Sequence, residues 1–198
     1  VVAYVFNDIL SRASDASIQT GTRRARQWFR DQAKSVRTSP NMVMRPDDRS
    51  RLQTQMERSS IGRMYFFFYD PKGKRELPYY DRFPLIFMVG PAEGGFYGLN
   101  LHYLPPVFRA RLMDALYDTM NNDKYDETTR LRISYSILQR ASRFRYFKPC
   151  LKHYLDSKVQ GRFLEVKPTE WDIALFLPVE RFQKKNKTVV WKESREMV

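Results

Sequence analysis

The chain holds a single cysteine, Cys150, among its 198 residues. One thiol excludes an internal disulfide and a cysteine-built metal cluster. Two histidines, His102 and His153, leave little for imidazole ligation or acid–base chemistry. No Walker loop, G-x-S-x-G elbow or H-E-x-x-H helix occurs. No apolar run approaches the ~18 residues of a membrane span, so a membrane partner is not expected. Residues 1–10 lack the basic, apolar, then small-residue order of a secretion signal. Internal repeats and low-complexity tracts are absent from the sequence. Acid is also scarce: 22 Asp and Glu face 35 Lys and Arg, a net charge of +13. The pI is near 9.9. A surplus of that size favours an anionic partner, most often nucleic acid.

What is present is enough for a folded domain. Hydrophobic residues make up 42% and aromatic residues 15%, which excludes a disordered tail. The charge is unevenly placed. Residues 1–64 carry net +6, residues 65–129 net −2, residues 130–167 net +8 and residues 168–198 net +1. Two basic blocks therefore flank a near-neutral middle, which reads as scaffold between two contact surfaces.

The clearest pattern is in residues 22–38. Arg23, Arg26, Arg30, Lys34 and Arg37 recur at helical spacing and fall within roughly an 80° sector at about 100° per residue. Ala25, Trp28, Phe29, Ala33 and Val36 gather on another side, so one face docks and the other presents cations. The row is about 21 Å long and suits successive backbone phosphates. A solvated helix face is the competing reading, but such faces usually mix signs, and Asp31 is the only acid here.

Residues 1–61 are poor in large aliphatics and are expected to form a basic helical arm, including a polar helix over 46–59. Residues 62–198 are expected to form an α+β core: a small antiparallel sheet or partial barrel flanked by helices. Aromatic residues 63–69, the apolar run 84–89 and the alternating segment 96–104 read as its strands, joined by short turns. Pro105-Pro106 opens a helix over 107–120, and 127–142 is the next helix, with Arg132, Arg140 and Arg143 as a second basic row. Residues 148–159 follow with Lys152 and Lys158 exposed. Residues 162–166 return as a strand, 168–177 open as a helix, and 188–191 read as a short strand or docked tail.

Basic and aromatic residues interleave over 140–148 (RASRFRYFK). Arg140, Arg143, Arg145 and Lys148 can meet phosphates, with Lys152, Lys158 and Arg162 extending the block. Phe144, Tyr146 and Phe147 can stack on exposed bases, or anchor a helix end in the core. His102 reads as structural, His153 as a surface residue and Cys150 as a small buried thiol. Asp114, Asp118, Asp123, Asp126 and Glu127 have no nuclease spacing, nor do Glu165, Glu170 and Asp172. Neither catalytic residues, nor a metal site, nor a cofactor is expected.

Several long motifs together resemble one family. They are A-x-x-W-F-R (Ala25, Trp28, Phe29, Arg30), Y-D-P-K (Tyr69 to Lys72) and L-P-Y-Y-D-R-F-P-L (Leu77 to Leu85). G-F-Y-G-L-N-L-H-Y-L-P (Gly95 to Pro105), R-Y-F-K-P-C (Arg145 to Cys150) and W-D-I-A-L-F-L-P-x-E-R-F (Trp171 to Phe182) continue the match. The chain resembles the DNA end protector proteins of T-even-type contractile-tailed phages, notably the short cyanophage forms, over about residues 3–195. The resemblance implies a non-enzymatic virion protein, made in the host bacterial cytoplasm. It would bind double-stranded DNA ends during head completion and shield them after injection. Other partners would be virion proteins of the head-neck or tail, and an oligomer is compatible with that. A structural neck, tail or baseplate protein is the alternative reading, and a metal-dependent nuclease the third.

Overall fold

The computed structural model describes residues 5–20, 22–36, 40–43, 52–53, 61–120, 124, 136–138, 140 and 147–196. Its helices are α1 (Val5–Asp15), α2 (Arg23–Ser35), α3 (Pro40–Val43), α4 (Pro106–Met120), α5 (Trp171–Phe176) and α6 (Lys187–Glu196). Its strands are β1 (Leu52–Gln53), β2 (Met64–Tyr69), β3 (Tyr80–Asp81), β4 (Leu85–Ala92), β5 (Gly95–Asn100), β6 (Leu151–Leu155), β7 (Val159–Val166) and β8 (Phe182–Gln183). The fold class is α+β, with the basic helix α2 near the start of the chain.

Six strands form one antiparallel sheet in the order β1-β7-β2-β4-β5-β6; β3 and β8 pair separately. β6 lies at one edge and β7 near the other, yet only residues 156–158 join them. The sheet must therefore curl on itself as a partial barrel. The Tyr69 hydroxyl, at the end of β2, accepts the Leu155 N–H at 3.1 Å across the seam. Asp70 N–H donates to the Lys158 carbonyl at 3.0 Å. Register shifts at Phe66/Phe68 and Met88/Gly90 supply the extra bend.

The two faces of the sheet sort the aromatic residues by parity. Tyr65, Phe67 and Tyr69 join Ile86, Met88, Phe96, Tyr154 and Phe163 inside the curl. Phe67 meets Tyr154 edge-on at 5.2 Å, and Phe96 stacks on Tyr154 at 5.5 Å. Such pairs each contribute about 0.5–1.5 kcal/mol beyond their area. Met64, Phe66 and Phe87 face outward beneath the helices, in a larger core with Phe6, Phe29, Leu112, Leu116 and Trp171. Helices α1 and α2 are thus part of that core: Val5, Phe6, Ile9 and Ala13 bury one stripe of α1, and Ala25, Phe29 and Ala33 one stripe of α2.

The structure departs from the expected elements at four places, two through strand pairing and two through a local side-chain cap. Residues 52–53, inside the helix expected over 46–59, are a strand, with Leu52 opposite Leu164. The strand expected over 96–104 stops at Asn100, whose side-chain oxygen accepts His102 N–H at 3.0 Å and caps a 3-10 turn over Leu101–Tyr103. Within 148–159 the chain forms β6 against β5, so Lys152 and Lys158 are half-buried rather than exposed. Residues 188–191 belong to a helix instead of a strand: the Asn186 side chain accepts Val189 N–H at 3.0 Å, and Val190 and Ser194 bury one face. Of the helix expected over 127–142, residues 136–138 and 140 lie among the described residues and are helical.

Candidate nucleic-acid interface

Helix α2 is started by Thr22, whose hydroxyl accepts Ala25 N–H at 3.0 Å. Its Ala25–Phe29–Ala33 stripe packs toward α5 and turns the basic row outward. The row is not uniform. Arg23 is 87% exposed at the side chain, Lys34 is exposed and Arg30 half-exposed. Arg26 departs from the exposed face expected of it: only 6% of the residue is accessible, and its guanidinium pairs with Asp114 on α4. Arg23 Nε stands 3.8 Å from the same carboxylate. Asp114 therefore ties α4 to the basic helix. Lys34 pairs with Asp31 at 2.8 Å, and its ammonium and the Gln27 amide hold the Asp31 carboxyl below its usual range. Arg37 lies outside the described residues.

The second basic block divides by environment. Arg140, Lys148 and Arg162 are exposed. Lys158 is half-buried in the turn between β6 and β7. Lys152 is drawn inward, its Nζ 4.1 Å from the centroid of the Tyr103 ring, and burial lowers its pKa. That cation serves packing rather than an outer surface. Phe147 packs against the outer core. Arg132, Arg143, Arg145, Phe144 and Tyr146 lie outside the described residues.

A buried polar cluster underlies the short β3–β8 ladder, and sequence reading passed over most of it. Asp81 Oδ2 meets His102 Nδ1 at 2.7 Å and accepts from Asn100 Nδ2 at 3.3 Å. Its Oδ1 accepts the N–H groups of Phe83 and Arg181 at 3.0 and 3.2 Å. Asn100 also donates to the Tyr154 hydroxyl at 3.0 Å, joining the cluster to the barrel interior. Arg109, fully enclosed, donates to the carbonyls of Leu104, Leu175 and His102 at 2.7, 2.6 and 3.4 Å. Burial lowers its pKa. Asn100 and His102, polar residues within the alternating segment 96–104, are the sequence signal for this cluster.

His102 has no exposure. The enclosed Cys150 thiol is pushed up to about 12 by burial, which keeps it protonated and unreactive. His153 is exposed and lies 3.1 Å from the Glu93 carbonyl through Nε2. Glu165 pairs with Arg63 at 2.8 Å. Among the described residues no group of three His, Cys, Asp or Glu side chains is arranged to hold a metal ion. No helix among them is long and apolar enough to cross a membrane.

The family described as phage T4 terminal DNA protecting protein matches residues 4–195. No curated protein and no solved structure matches the chain.

Proposed function

The chain belongs to the phage T4 terminal DNA protecting protein family, and we propose that it acts as a non-enzymatic virion protein on the ends of a packaged linear genome. It binds those ends during head completion and shields them after injection. The observation that carries this reading is the outward row on α2, where Arg23, Arg30 and Lys34 stay accessible on a helix fixed to the core by Phe29 and by the Arg26–Asp114 pair. A row of cations on a rigid helix positions phosphates without reading bases. Arg140, Lys148 and Arg162 add exposed charge from the second block. Protection is steric, because an exonuclease must thread the end that the protein covers.

The test is a salt titration of binding to one DNA in linear and covalently closed forms, with exonuclease protection read in parallel. Tighter binding to the linear form, with protection, is expected. If six to ten phosphates are neutralised, affinity falls by about 10³–10⁵ between 50 and 200 mM salt. Equal binding to both forms removes end recognition. The charge then belongs to acidic neighbours in a neck, tail or baseplate.

A further inference from the structure

Between α2, α4 and α5 the surface opens into a cleft of about 170 Å³. Arg23, Arg26 and Arg30 line one side, Asp114 the other, and Phe176 with Ala110 supplies an apolar patch. We propose that this cleft receives the terminal phosphomonoester of a DNA end, which rests on the DNA-end reading above and names the group that distinguishes an end from an interior.

Charge matching singles out that ligand. Three guanidinium groups and one carboxylate leave the lining with two net positive charges. A phosphomonoester carries about −1.5 to −2 at pH 7, with its second proton lost near pH 6. An internal phosphodiester carries one charge, so the terminal group gains more from the same lining. Asp114 is the one carboxylate in the lining. Its charge is already met by buried Arg26, and Arg23 is held more loosely at 3.8 Å with its side chain 87% exposed. Arg23 can therefore turn from the carboxylate to an arriving phosphate. Arg30 is half-exposed and acts on Asp31, the next residue of α2, through its charge. Arginine forks suit the oxygens of a phosphate, and Gln27 adds an amide donor at the same rim.

Size sets the same limit. Clefts that enclose a drug-sized molecule hold about 300–1,000 Å³. This one takes the phosphate and leaves the terminal nucleotide at its mouth, within reach of half-buried Phe176.

The experiment uses the full chain and one blunt duplex in four forms: 5′-phosphorylated, 3′-phosphorylated, without terminal phosphate, and closed by hairpin loops at both ends. Affinity is read by fluorescence anisotropy. A terminal phosphate on one strand end strengthens binding by about tenfold over the unphosphorylated open duplex, the scale of one or two charge-assisted hydrogen bonds. The terminus that gives the gain is the one seated in the cleft. That gain shrinks as pH falls through about 6. Arg23→Gln and Arg30→Gln, both at accessible side chains, lose the gain while the circular dichroism spectrum stays unchanged. Equal affinity for phosphorylated and unphosphorylated open duplexes overturns the cleft assignment. In that case a preference for open over closed duplex leaves the DNA-end reading standing. Equal affinity for all four forms overturns both.

Discussion

Arg26 on α2 buries its guanidinium against the Asp114 carboxylate on α4, a pairing that spans 88 positions of sequence. The two ends are not equivalent: 7% of the Arg26 side chain is accessible, against 36% of Asp114. Removing the acid takes the Asp114 carboxylate away from a buried cation, whereas removing the base leaves a carboxylate that water can still reach. Asp114→Ala is therefore expected to cost about 2 kcal/mol, within the range for depriving a buried donor of one partner. Arg26→Met, which keeps the packing of the stem, is expected to cost about 1 kcal/mol. Urea denaturation of the two variants checks the order; a larger loss for Arg26→Met reverses the argument.

The exposed part of the row behaves differently. Arg23, Arg30 and Lys34 each touch solvent, so Arg23→Glu, Arg30→Glu and Lys34→Glu together leave the melting transition cooperative, with individual costs within about 0.5 kcal/mol. DNA affinity drops, and the slope of log affinity against log salt becomes shallower by about 0.9 per lost phosphate contact. Arg24→Glu is the control, since Arg24 is exposed but sits about 100° around the helix from Arg23. A loss per charge as large for Arg24 as for the row points to net charge instead of a face.

The packing around β5 can be tested through two of its glycines. A Cβ on Gly95 lies 1.8 Å from the Tyr154 carbonyl oxygen, in the backbone of β6. A Cβ on Gly98 lies 2.7 Å from Ile86 Cδ1, the end of a side chain that can rotate. Gly98→Ala is expected to cost about 1–3 kcal/mol, the usual penalty for overfilling a core. Gly95→Ala is expected to cost more, because β5 and β6 must separate. Thermal melts of both variants decide this, and a milder effect at Gly95 means that the β5–β6 ladder yields easily.

Local chemistry made some of this legible in sequence, and distance along the chain hid the rest. The aromatic segment 63–69 announced a strand, and the alternation of Tyr65, Phe67 and Tyr69 with Met64, Phe66 and Phe68 feeds both cores. The spacing from Arg23 to Lys34 announced a helix with a basic side. It did not show that Asp114 captures Arg26, because no pattern within α2 refers to α4. Lys152 reads as a surface lysine until β6 is paired with β5 and Tyr103 is placed beneath its amine. Val189-Val190-Trp191 has strand propensity, yet an Asn186 cap and the burial of Val190 make it helical. Asp81 and His102 are 21 residues apart, and only the fold turns two isolated polar residues into one buried pair.

Acid sensitivity follows from Glu180. Burial by itself raises the carboxyl, but His102, Arg109 and the Lys187 ammonium, hydrogen-bonded at 2.7 Å, outweigh it and bring the pKa from 4.5 to about 2. The folded state thus holds fewer protons than the unfolded chain between those values. Glu180 contributes its full stabilisation above about pH 4.5, and that contribution fades as pH falls toward 2. The gap corresponds to roughly 3 kcal/mol. Glu180→Gln cannot titrate, so the stability difference between the natural chain and this variant stays constant from pH 7 to 5 and then closes on acidification. Urea denaturation at pH 7, 5, 4 and 3 measures it. Parallel curves through the acid range mean that Glu180 is no better stabilised as a carboxylate in the folded protein than in the unfolded chain.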